Sequence, residues 1–131
     1  MPALPIPGTF GDLLESTNLG HLATIDRRGN PQVNPVWFLW DGADLLIGVK
    51  AETAKYRNLR RHPHLALSIA DCGRPGRYIE LRGEVIDFKR YLDLEFVNQL
   101  SQKYTGHDMD PAQHGQERYR LTVRIDSWTG Q

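Results

Sequence analysis

QVNPVWFLWDGADLLIGVKAETAKYRNLRR, residues 32–61, holds a strand, a two-residue Asp41-Gly42 turn, a second strand and a short basic helix in immediate succession. The junction between the second strand and the helix carries the most information. A strand that runs into a helix N-terminus leaves backbone N–H groups without intrahelical partners. Five bases gather there, Lys50, Lys55, Arg57, Arg60 and Arg61, against the single acid Glu52. Unpaired amides beside a local excess of cations suit an anion, a phosphate above all.

Upstream, PQVNPVWFLW puts Val33, Pro35, Trp37 and Leu39 on one face and Gln32, Asn34, Val36, Phe38 and Trp40 on the other. Pro35 has no N–H to give a ladder, which places this strand at a sheet edge or makes it bulge, with backbone groups left free for a ligand. HLATID, residues 21–26, alternates Leu22 and Thr24 with Ala23 and Ile25, and a polar Arg27-Arg28-Gly29-Asn30 turn makes the two strands a hairpin. Before it, Phe10, Leu13 and Leu14 share the face of a short amphipathic helix that Gly20 is expected to stop. Residues 1–8, with three prolines and a glycine, read as an arm on the surface or on a partner chain.

Downstream, DLLIGVK contains Gly48, where the missing side chain lets another group approach the backbone. Thr53 is the expected N-cap of a helix over 53–62, and Pro63 ends it. HLALSIAD (64–71) and RYIELRGEVIDF (77–88) alternate as strands around a CGRPGR turn. Apolar residues at 88, 92, 96, 97, 100 and 104 form a helical stripe from Phe88 to Tyr104, followed by the turn-rich TGHDMDPAQHG. ERYRLTVRIDSW is the last strand. Connections too short for parallel crossovers make this a mainly β, antiparallel barrel of six strands with two or three short helices.

The chain has 131 residues and 15.0 kDa, the size of one domain, so 1–131 is read as a single unit. Sixteen Lys plus Arg balance 16 Asp plus Glu, and with no global field neither nucleic acid nor a membrane surface is an expected partner. One cysteine, Cys72, permits no internal disulfide and no CxxC pair, which fits a reducing cytosol. The start lacks a basic n-region and a long apolar run, so the expectation is a cytoplasmic, soluble protein.

The order HLATID-x-x-GNPQVNPVWF, LLIGV, TAKYRNLRRHPHLALSI, YIELRGEVID and VRIDSW resembles the split β-barrel flavin-binding superfamily over residues 10–128. That group holds the pyridoxamine 5'-phosphate oxidases and the oxidoreductases that use deazaflavin coenzyme F420. AKYRNLRRHP is similar to the family's K-x-x-N-L-x-x-x-P phosphate element. The resemblance implies an antiparallel split barrel of six to seven strands, FMN-binding-protein-like, and a homodimer with the cofactor in a groove between chains. It implies that Lys55 contacts the cofactor phosphate, with Lys50, Thr53, Asn58 and Arg61 nearby. It sets Gln32 to Trp37 against the ring, with Asn34 and the backbone of Pro35 and Val36 at the pyrimidine edge. Tyr78 or Trp128 would reach the partner's site, at the substrate. DSWTG stands where the pyridoxamine phosphate oxidases carry a substrate-binding Arg-x-His, so vitamin B6 oxidation is not expected.

The resulting expectation is hydride transfer between F420 and a small conjugated or heterocyclic substrate. The alternatives are FMN as cofactor, a flavin- or tetrapyrrole-binding module that turns nothing over, and a pure interaction protein. Cofactor chemistry explains why no triad or metal motif is needed. From charge alone the basic run reads as a solvated helix face, and for Arg57 and Arg60 that reading stands. Trp37 and Trp40 lie on opposite strand faces, so one is expected in the core, with ligand and dimer roles equally weighted for either. The histidines, 21, 62, 64, 107 and 114, lack metal-ligand spacing, Tyr78 by default is an ordinary barrel tyrosine, and Cys72 an exposed thiol.

Overall fold

The computed structural model describes residues 4–91, 93–113 and 115–131. Leu92 of the apolar stripe, His114 and the first three residues of the arm lie outside the described residues. The elements run α1 (Gly11–Leu14), β1 (Gly20–Ile25), β2 (Pro31–Val36), β3 (Phe38–Trp40), β4 (Asp44–Lys50), α2 (Ala54–Arg61), β5 (His64–Ala70), β6 (Tyr78–Tyr91), α3 (Glu95–Thr105) and β7 (Arg118–Gly130).

All the strands pair antiparallel in one sheet of order β2-β1-β5-β6-β7-β4-β3. Its two edge strands, β2 and β3, are neighbours in the chain with only Trp37 between them. Consecutive Cα atoms sit about 3.8 Å apart, so the sheet must curl until its opposite edges meet at Trp37. The chain, not a hydrogen-bond ladder, joins those edges, and the result is a split β-barrel.

Alternation fills the inside. Leu22, Phe38, Leu45, Ile47, Leu67, Ile69, Ile79, Leu81, Leu121 and Val123 are fully buried, each from a strand position whose neighbours face out. Gly83 lies at a β-bulge against β7, where any Cβ would run into the carbonyl oxygen of Arg124. Arg77 ties the β5–β6 turn to α1 through Asp12 at 2.7 Å and Asp71 at 3.0 Å.

Pro35 sits on an edge strand, as its missing N–H demands, and Thr53 caps α2 by accepting from the amide of Tyr56 at 3.4 Å. Several boundaries differ from the sequence reading. The expected single strand over 32–40 is two strands that pair with different partners. The turn before β4 spans 41–43, with Asp41 Oδ1 accepting from the amides of Ala43 at 2.9 Å and Asp44 at 2.6 Å, and Gly42 at φ 96°. The first helix stops at Leu14, and Gly20 instead opens β1, where a side chain would meet Leu67. Residues 88–91 are strand, not helix, because β7 is long enough to pair with them, Phe88 opposite Leu121 and Tyr91 opposite Arg118. Of the two tryptophans, Trp40 packs on the core and Trp37 stays 37% exposed.

Candidate functional site

An open pocket of about 730 Å³ lies where β4 runs into α2. From the stretch that organises the chain it takes Pro35, Val36 and Trp37 together with Lys50, Thr53 and Lys55. Six of the residues expected at a cofactor therefore meet in one cavity.

The cationic end is built by local rules. β4 stops at Lys50, and the Thr53 hydroxyl donates to the Lys50 carbonyl at 2.8 Å while its oxygen caps α2. That brace brings Lys55, in the first helical turn, beside Lys50 at the strand end. Neither lysine forms an ion pair with a described residue. Burial, with the Lys50 charge adding to it, holds the Lys55 ammonium below the usual lysine range. Two unpaired ammonium groups at a helix start form a site with uncompensated positive charge, and a phosphate fits that donor set.

The opposite wall is held by α3. Tyr104 stacks on Trp37 at 5.1 Å with ring planes 5° apart. Its hydroxyl accepts from the amide of Phe38 at 3.3 Å and donates to the Asn18 carbonyl at 3.3 Å, so α3 fixes the joint at which the barrel splits. Gly48 serves this packing: a Cβ there would press on Leu100 and Phe96 of α3 at 3.2 Å. The group that approaches the Gly48 backbone is a helix. Burial pushes the Tyr104 phenol up to about 12, against the opposing effect of the hydrogen bond from the Phe38 amide.

Lys103 belongs to the same wall, donating to the Phe38 carbonyl at 2.7 Å and standing 3.9 Å from the Phe38 ring centre. Burial lowers it to about 8, with Glu15 opposing weakly. Linkage fixes the sign: between the folded value near 8 and the ordinary 10.5 the unfolded chain binds the extra proton, so stability contributed by this site rises with pH across that window. The melting temperature of the wild type relative to Lys103→Met is expected to climb from pH 8 to pH 10 in parallel thermal scans. A constant difference would mean that Lys103 titrates normally.

The remaining expected residues lie elsewhere. Gln32 and Asn34 bond to each other at 2.7 Å on the edge strand. Asn58 is buried, its amide donating to Thr24 at 3.1 Å and Gln32 at 3.2 Å. Arg61 is exposed on the far end of α2. Arg57 donates to the Glu52 carbonyl at 2.7 Å, and Arg60 packs over Phe88 at 4.1 Å. Tyr78 borders Ala70 and Gln131, and Trp128 packs against Phe10 at 5.5 Å, so neither lines this pocket. Among the residues missed from sequence, Tyr91 of β6, Leu100 and Ser101 of α3, His107 of the loop after it and Arg118 of β7 line the cavity.

A curled antiparallel sheet with an anion-suited strand-to-helix junction beside its split places the chain in the split β-barrel class. Within it, the family model for pyridoxamine 5'-phosphate oxidase matches residues 6–128, and the chain belongs to that family. A solved structure named F420 Reductase is 35% identical with a TM-score of 0.88, covering 95% of this chain and 98% of its own. A conserved hypothetical protein from Mycobacterium tuberculosis is 20% identical (TM-score 0.73, 98% of this chain, 85% of the other). HutZ, the haem storage protein from Vibrio cholerae, is 10% identical (TM-score 0.66, 97% and 95%). The last two share the fold. A search of curated protein sequences found no match. Among the described residues no helix is long and apolar enough to cross a membrane.

Proposed function

We propose that this chain is an F420-dependent oxidoreductase that passes a hydride between the deazaflavin and a small conjugated or heterocyclic substrate. The observation that carries the reading is the pocket itself, lined by Lys50, Thr53 and Lys55 together with Trp37, Pro35 and Val36. The 35% identity to a protein named F420 Reductase supports F420 over other flavin-type ligands.

In this reading the Lys50–Lys55 pair holds the phosphate, and the edge-strand backbone at Pro35 and Val36, which no neighbouring strand continues past Trp37, meets the ring. The stacked Trp37–Tyr104 pair and the apolar α3 residues Val97 and Leu100 keep water from the ring side. The bound cofactor supplies the hydride chemistry, and the chain supplies position and a dry wall. A homodimer that completes the substrate side is part of this reading. The exposed lone thiol of Cys72 suits a reducing cytoplasm.

Fluorescence titration of the purified protein with F420 and with FMN tests the cofactor. A clear preference for F420 is expected, and tighter binding of FMN would move the protein to the flavin branch. Oxidation of reduced F420 by a panel of quinones, enones and tetrapyrroles then separates enzyme from carrier: turnover with none of them would leave a binding module.

A further inference from the structure

Strand register sets Lys50 of β4, Arg118 of β7 and Tyr91 of β6 side by side across the sheet. Residues at matched ladder positions share a face, and all three line the pocket. Arg118 differs from the two lysines. It is only 7% exposed, and its one side-chain hydrogen bond among the described residues is from Nη1 to the Gln113 carbonyl at 3.0 Å. It forms no ion pair with a described residue. Asp110 is the single acid among the described lining residues, and it is exposed and accepts from the Ala112 amide at 2.9 Å.

A guanidinium taken out of water without a counter-ion is unfavourable, and an anionic ligand relieves that. Its planar fork matches a carboxylate in a way an ammonium does not. The charge count agrees. Lys50, Lys55 and Arg118 against Asp110 leave a formal charge of 3 − 1 = +2 on the pocket, counting histidine as neutral. The phosphodiester of a deazaflavin such as F420 carries one negative charge, which leaves one for a second anionic group, whereas a phosphomonoester, at nearly two, would leave none. Beside Arg118, the Tyr91 hydroxyl is a further donor that has no partner among the described residues.

We infer that Arg118 is a carboxylate-binding residue of this pocket, separate from the phosphate grip at Lys50 and Lys55. The inference rests on the reading that the pocket holds an anionic deazaflavin or flavin. The carboxylate comes from the cofactor's glutamate tail or from the substrate, and these two sources are separable.

Two matched pairs of probes decide: F420 against F420 whose tail carboxylates are converted to amides, and cinnamate against cinnamamide. Each is titrated by fluorescence and thermal shift into the wild type, Arg118→Gln and Arg118→Lys. The expected result is a preference of about tenfold for the carboxylate within one pair, lost in Arg118→Gln and weakened in Arg118→Lys. The pair that shows it names the source. Equal affinities within both pairs for the wild type overturn the inference, as does a preference that survives in folded Arg118→Gln. Should Arg118→Gln fail to fold, the comparison of the wild type with Arg118→Lys decides in its place: a preference undiminished in the lysine variant overturns the inference. If F420 does not bind but cinnamate is preferred through Arg118, the F420 reading falls and the carboxylate site stands.

Discussion

Lys55→Ala is expected to weaken binding of the phosphate-bearing cofactor by about 1.5–3 kcal/mol, roughly 10- to 150-fold, with no loss of melting temperature. Charge-assisted hydrogen bonds to a phosphate set that magnitude. The absence of a stability cost follows from the free protein. Burial and the neighbouring Lys50 disfavour the charged ammonium, so the folded value lies below the ordinary 10.5. A lowered lysine opposes folding at pH below its folded value, and the opposition fades as pH rises towards 10.5. Removing the side chain removes the opposition. A bound phosphate reverses it, because the anion favours the protonated form and binding takes up protons above the free protein's value. Affinity is therefore expected to fall as pH rises through that value in the wild type, and to lose this dependence in Lys55→Ala. Titration calorimetry across pH measures both. Unchanged affinity in Lys55→Ala would return the basic run of α2 to a solvated helix face.

The parts of this site that were legible in the sequence are those set by short-range chemistry. Pro35 cannot donate to a ladder and lies on the edge strand; Thr53 can cap a helix and does; Pro63 ends that helix. Lys50 and Lys55 meet because a single braced turn joins their elements, which five residues of sequence suffice to specify. What was not legible depends on distant pairing. Trp37 looks like any strand residue in an alternating run, and only the sheet order shows that the barrel opens there. The apolar positions Phe88, Phe96, Val97 and Leu100 fit a helical period, yet Phe88 is strand because Leu121 lies opposite it, more than thirty residues away. Arg118 sits in an alternation of arginines with apolar residues that predicts an outward charge. It is buried where the chain of the 111–113 turn returns to it, the Gln113 carbonyl accepting from its Nη1, and nothing within β7 announces that contact.

Asn58 shows the same limit from the other side, and substituting it separates a residue that holds the ligand from one that holds the scaffold. Asn58 stands one turn after Lys55 in the phosphate-like motif, which places it among the expected cofactor contacts. In the fold its amide spans α2, β1 and β2, donating to the hydroxyl of Thr24, itself 1% exposed, and to Gln32. Asn58→Ala removes both bonds and strands the Thr24 hydroxyl in a place water does not reach. Two net hydrogen bonds at about 1 kcal/mol each plus a penalty of about 1–3 kcal/mol come to about 3–5 kcal/mol of unfolding free energy, measurable by urea denaturation. Binding should respond differently. In the folded fraction Lys50, Thr53 and Lys55 keep their brace, which does not pass through Asn58, so the cofactor affinity of Asn58→Ala is expected to stay within about twofold of wild type at a temperature where the variant is folded, the residue being absent from the pocket wall. Lys55→Ala and Asn58→Ala thus form opposite pairs of outcomes, lost affinity with kept stability and lost stability with kept affinity. A drop in affinity for Asn58→Ala as large as that for Lys55→Ala would place Asn58 in contact with the cofactor after all, and would mean that α2 turns its inner face towards the ligand on binding.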